Sequence, residues 1–257
     1  MRLLKRDDSG EFCLTKHSPN DAIAEIPPYA ILSHTWTEDE EVLFNDLANR
    51  TAKNKPGYTK IRFCADQAER DGLEFFWVDT CCIDKSDGVE LQYALNSMFR
   101  WYRDAAKCYA YLADISTHQE GDGPGWKPDI RQSKWFTRGW TLQELIAPTV
   151  VEFFSKEGKR LGDKQSLEQE IHNITGIPLE VLRGGRLSNF SVAERMAWIE
   201  KRDTKYEEDK VYSLFGIFDV CIPLLYGEGK KRAFGRLQAS MNEVDKGSFE
   251  WSKKLIW

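Results

Sequence analysis

The sequence predicts an α/β fold: a parallel sheet covered by helices on both faces, followed by a C-terminal helical extension. Three observations carry this. Short apolar runs alternate with helical patterns through the first 157 residues. Those runs are continuous rather than alternating, as strands buried on both faces require. Beyond Ser155 the strand signal fades while helical periodicity persists.

Residues 29–33 (YAILS) follow the Pro27-Pro28 breaker and read as the first buried strand. Ile61, Cys64, Ala65 and Ala68 then keep the i, i+3, i+4, i+7 spacing of a helix that Gly72 ends. Residues 74–80 (EFFWVDT) read as the second strand. Asp87 with Glu90 forms a capping-box pattern, opening a helix whose face carries Leu91, Ala94, Leu95, Met98 and Tyr102. Residues 107–112 (KCYAYL) and 150–154 (VVEFF) are the third and fourth strands, with a helix over 139–147 between them.

The extension has helical faces at 164–174, after a second capping box at Ser191 and Glu194, at Val211, Leu214, Phe215 and Phe218, and at Phe234, Leu237 and Met241. This divides the chain into a core at 1–157, a helical extension of the same domain at 158–244, and an aperiodic tail or linker at 245–257. The Gly-, Asp- and Pro-rich stretch 118–132 reads as a mobile lid.

Composition narrows the function. A chain of 257 residues with 41% hydrophobic and 30% charged residues is long enough for a core and ordinary for a soluble protein. Its net charge of −5 argues against a nucleic-acid partner. No apolar run reaches the roughly 18 residues of a membrane span, and MRLLKRDDSG has no signal-peptide core. The six cysteines lie mostly in apolar segments without a C-x-x-C pair, which points to reduced thiols and a cytoplasmic setting. His17, His34, His118 and His172 are scattered without ligand spacing, so no metal is expected. Nucleophile-elbow and phosphate-loop patterns are absent.

The segment 133–148 (SKWFTRGWTLQELIAP) carries the most chemistry. In a helix over 139–147, Trp140 and Glu144 stand at i and i+4, with Arg138 just before. They offer a nucleotide a stacking surface, an acceptor for ribose hydroxyls and a cation for phosphate. The structural alternative is an amphipathic helix with Trp140 in the core and Glu144 in solvent. A doubly wound sheet binds ligands at the carboxyl ends of its strands. That adds Ser33, His34 and Trp36 after the first strand, Asp79 and Cys82 after the second, and Asp114 after the third. His34 would position a ribose or phosphate oxygen and Trp36 would stack on a base. Structural alternatives stand beside these. The tryptophans suit a core, Asp79 a turn cap or a pair with Arg138, His34 a backbone carbonyl, and Cys81 and Cys82 buried thiols.

Five blocks in order resemble the fungal heterokaryon-incompatibility (HET) domain. They are YAILSHTW (29–36), FFWVDTCCIDK (75–85), AAKCYAYLADI (105–115), SKWFTRGWTLQELIAP (133–148) and EEDKVYSLFGIFDVCIPLLYGEGKKRAFGRLQ (207–238). One departure is Lys85, where the family more often carries Gln. The HET domain is in turn similar to TIR domains, which implies a TIR-like (flavodoxin-like) core. WTLQEL then aligns Glu144 with the glutamate that TIR enzymes need to cleave NAD. The resemblance implies an NAD-cleaving cell-death effector of fungal non-self recognition. NAD or a related nucleotide would be its substrate and no cofactor would be required. It would act on self-association, often beside an NLR-type receptor module in the same or another chain. Two other functions fit the same residues: a non-enzymatic adaptor acting by homotypic assembly, and a nucleotide sensor without turnover.

Overall fold

The chain's continuous apolar runs lie side by side at the centre of one sheet. A computed structural model describes residues 1–16, 26–117 and 129–254, with side chains as far as residue 242. Among these described residues seven strands, β1 (Arg2–Arg6), β2 (Phe12–Lys16), β3 (Tyr29–His34), β4 (Phe75–Trp77), β5 (Lys107–Leu112), β6 (Val151–Ser155) and β7 (Arg160–Asp163), are ordered β2-β1-β4-β3-β5-β6-β7. The inner four are parallel. β1, β2 and β7 flank them antiparallel. Every residue of β3 is buried, as a central strand covered on both faces demands.

Short α1 (Phe44–Ala48) precedes α2 (Tyr58–Arg70), which returns from β3 to β4 and packs on both. α3 (Gly88–Asp104) crosses from β4 over β3 to β5, and α4 (Thr141–Ile146) leads to β6. The four parallel strands thus follow the flavodoxin-like order, with its reversal between β3 and β5. This is the TIR-like α/β core that the block order implies.

After the sheet come α5 (Glu168–Thr175), α6 (Leu179–Leu182), α7 (Val192–Glu200), α8 (Asp209–Tyr212), α9 (Phe215–Phe218) and α10 (Lys230–Lys254). α9 lies on α3, α6 reaches α4, and α8 packs on α10. Gly216 allows the α3–α9 approach, since a Cβ there would stand 2.0 Å from Phe99 Cβ.

Three differences from the sequence reading have physical reasons. β1, β2 and β7 are strands that periodicity does not reveal: β2 and β7 are the sheet's edges, β1 beside β2 is mostly charged, and β7 buries only Gly162. The strand at 74–80 ends at Trp77, because Val78 O accepts the amides of Cys81 and Cys82 in a turn. α10 carries helix from Asp245 to Lys254, through the segment read as an aperiodic tail.

The two capping boxes also part ways. Ser191 and Glu194 close reciprocally on α7. Asp87 caps α3 through the amides of Val89 and Glu90, but the Glu90 carboxylate turns to Asp84 N and Arg2 instead. Most of the expected lid, 118–128, lies outside the described residues, as do His17 and His118. Among the described residues no helix is long and apolar enough to cross a membrane.

Candidate functional site

At the reversal in strand order, β3 delivers Ser33 and His34 to the carboxyl end of the sheet, and parallel β4 brings Asp79 beside them. His34 Nε2 meets Asp79 Oδ1 at 3.0 Å, and Trp36 Nε1 donates to Asp79 Oδ2 at 2.9 Å. Beyond the other ring nitrogen of His34 stands Glu41, with Oε2 at 3.8 Å from Nδ1. Lys60 of α2 pairs with Glu41 and donates to Thr35 O at 3.0 Å. Lys85 Nζ rests 3.6 Å from the centroid of the Trp36 ring. Six polar and charged side chains and one indole thus line one strand-end corner.

Glu144 joins this corner from below. Ser33 Oγ donates to its carboxyl and accepts from Trp135 Nε1 at 2.8 Å. Tyr102, whose hydroxyl donates to Leu32 O at 2.9 Å, lies alongside. Burial pushes the Glu144 carboxyl up to about 8, with the nearby Asp79 charge adding to it. Contacts with Ser33, Tyr102 and Arg202 pull only partly back. Asp79 goes the other way. Burial raises it, but His34, Lys85 and the Trp36 N–H together outweigh burial and hold it below the ordinary carboxylate range. Two neighbouring carboxyls are therefore pushed apart, one ionised and one mostly protonated at neutral pH.

The sequence reading had Glu144 open to a ribose or to solvent; the structure corrects this, since the residue is only 4% exposed. All six residues of α4 are buried. Leu142 and Leu145 sit in the core, Thr141 donates to Trp135 O at 2.6 Å, and Arg202 covers the helix start. Glu144 is thus neither at a rim nor in solvent.

Residues 29–125 match the family model described as Heterokaryon incompatibility protein (HET). Over 248 residues, 95% of this chain, it is 64% identical to the vegetative incompatibility protein HET-E-1 of Podospora anserina. The chain carries a HET domain. It spans only 18% of that relative's length. No solved structure matches it.

In this HET domain the remaining residues singled out from sequence divide. Arg138 and Trp140 stand apart from Glu144, around the Asp209 carboxyl of α8, to which Trp140 and Tyr226 also hydrogen-bond. The reason is local. The backbone around Gly139 is tied to Asp203, through Gly139 N to Asp203 O at 2.8 Å and Asp203 N to Thr137 O at 2.6 Å, which turns the start of α4 toward the extension. Arg138 accordingly does not pair with Asp79. Cys82 is buried, its Sγ accepting from Val78 N at 3.3 Å, close to Cys64. Asp114 lies apart, bonded to Ser133 Oγ at 2.7 Å and Lys134 N at 2.7 Å.

Sequence reasoning missed Glu41, Lys60, Lys85, Tyr102, Trp135 and Arg202 as parts of the HET site. Trp135 and Lys85 lie inside the conspicuous blocks and were open to notice. Lys60 and Arg202 carried no local signal, since only the packing of α2 and α7 brings them in.

Proposed function

We propose that this HET domain is a cell-death effector of fungal non-self recognition. It cleaves NAD at the nicotinamide–ribose bond when copies assemble in the cytoplasm, next to an NLR-type receptor module. The observation that carries this reading is the Ser33-held Glu144 carboxyl beside ionised Asp79 at the strand-order reversal. The likeness to a vegetative incompatibility protein supports the biological role.

The chemistry suits the ligand. NAD presents a pyridinium cation, and a nearby cation favours the carboxylate form of Glu144. Nicotinamide leaves as a neutral molecule with the electron pair of the glycosidic bond, so no acid is required. The Glu144 carboxylate stabilises the oxocarbenium charge that develops on the ribose. It then takes the proton of the water that adds to C1′, and His34 and Asp79 hold the ribose hydroxyls. Since Glu144 is 4% exposed, the site must open first, and assembly of copies supplies that displacement. The test is nicotinamide release from NAD by protein forced to oligomerise, beside Glu144→Gln. Release by wild type and its loss in the variant support cleavage; release that persists in the variant ends it.

The same burial favours a second reading, a homotypic adaptor that passes toxicity to a partner. Killing that survives Glu144→Gln but not surface substitutions would establish the adaptor.

A further inference from the structure

Among the described residues Lys85 forms no direct ion pair, although the Asp79 and Glu41 charges act on it from a distance. Its Nζ is buried and makes no hydrogen bond to the described residues, although an ammonium carries three donors. Acceptors stand close but are engaged: one Asp79 oxygen meets His34 and the other Trp36, while Glu41 is held by Lys60 and by Thr37 N at 2.9 Å. What Lys85 has instead is the face of Trp36. A cation on an aromatic face recovers only part of the hydration it gives up. Burial accordingly draws its pKa down, against the pull of Asp79, Cys81 and Glu41.

Trp36 is the most exposed member of this arrangement, at 47%, while Lys85 is half-buried with its Nζ covered. The indole is tethered to the site by a single hydrogen bond to Asp79. Displacing this ring uncovers the ammonium without disturbing the sheet. Nor is the site hostile to an anion. Lys60 pairs with Glu41, Asp79 acts on Lys85, and Arg202 stands near Glu144, whose carboxyl is held mostly protonated by burial.

We propose that Lys85 is the phosphate-binding residue of this site: its ammonium, parked on the Trp36 ring, takes the diphosphate of a dinucleotide when that ring moves aside. This rests on the nucleotide reading above and completes it. A dinucleotide such as NAD has a cationic end for Glu144 and an anionic middle for Lys85. Asp79 interacts with both groups. The indole that leaves the ammonium becomes free to stack on a base.

The experiment is calorimetric binding of ADP-ribose, inorganic pyrophosphate and adenosine to the whole chain and to Lys85→Met and Lys85→Arg, each forced to oligomerise as in the cleavage test. Methionine keeps the aliphatic stem over Trp36, and thermal melts establish that each variant is folded. Losing a charge-assisted contact predicts a fall of about 10- to 100-fold in ADP-ribose affinity for Lys85→Met. Lys85→Arg stays within a few-fold of wild type, and adenosine binds all three proteins alike. Equal ADP-ribose affinity in wild type and Lys85→Met overturns the inference, and so does an absence of ADP-ribose binding by wild type. Pyrophosphate binding that depends on Lys85 while ADP-ribose binding does not also overturns it. Nicotinamide release on the same samples keeps the two ideas apart. Lys85-dependent ADP-ribose binding without release sinks cleavage alone, and release with Lys85-independent binding sinks this inference alone.

Discussion

Ser33 on β3 and Glu144 on α4, 111 positions apart, share one hydrogen bond, and the same serine oxygen accepts the indole N–H of Trp135 at 2.8 Å. A single hydroxyl thus satisfies two buried groups at once. Ser33→Ala leaves the fully buried Trp135 N–H without its acceptor and Glu144 without its donor. The expected loss is about 1–3 kcal/mol, the usual cost of stranding a buried polar group, measured by urea unfolding.

The pH dependence of stability follows from Glu144. Its folded pKa of about 8 lies above the ordinary value of 4.5, so the native state holds this proton more tightly than the unfolded chain. The stabilisation is full below the unfolded pKa and is lost as pH rises through about 8. Wild type therefore loses stability relative to Glu144→Gln between about pH 5 and pH 9, by roughly 2–4 kcal/mol, since each tenfold gain in proton affinity is worth about 1.4 kcal/mol. Melting both proteins across that range checks it, and parallel curves would contradict the assignment.

Trp36 separates fold from function. Because the ring is half exposed, Trp36→Phe costs little stability, within about 1 kcal/mol for one partly exposed hydrogen bond. NAD turnover by the assembled protein falls only a few-fold, since phenylalanine still stacks, whereas Trp36→Ala costs about tenfold or more, in line with the roughly 1–3 kcal/mol of base stacking lost with the ring. Thermal melts and nicotinamide release on one preparation read both effects.

Gly216→Ala tests the α3–α9 contact. The added methyl meets the Phe99 side chain at 2.0 to 2.7 Å, so helix or ring must shift. Overpacking of this kind costs about 1–3 kcal/mol, visible as a lower urea midpoint with an unchanged slope.

Thiol reactivity reports the burial pattern. Cys221 is exposed, Cys13 is half-buried, and Cys64, Cys81, Cys82 and Cys108 are buried. Burial also holds Cys64, Cys81 and Cys108 well above the usual thiol range. An aromatic disulfide reagent is expected to titrate Cys221 at once, Cys13 more slowly, and the other four only in denaturant.

The inner sheet was legible because burial on both faces leaves an unbroken apolar run, as in YAILS and KCYAYL. The clustering of Ser33, His34, Trp36 and Asp79 followed from the rule that strand ends converge at a topological reversal. The antiparallel flanks were not legible. RLLKR and RLGD are mostly charged or half-exposed, and they become strands only because β4 and β6 present hydrogen-bonding edges. Trp140 and Glu144 misled for a related reason. Helical spacing fixes which residues neighbour each other along the helix, but the tie between Gly139 and Asp203 decides which way the helix faces.

That tie reaches further. The main chain at 137–139 runs beside Asp203, and the buried Arg202 guanidinium donates to Arg138 O at 2.9 Å and Thr141 Oγ1 at 2.8 Å. The segment bearing Glu144 is therefore built half by the sheet and half by a stretch some sixty residues later. A protein shortened to its first 157 residues would lack the wall against which α4 folds. A proteolytic nick in the intervening connections would give two fragments that travel together until denatured. Neither half could be inherited, lost or exchanged between proteins without the other.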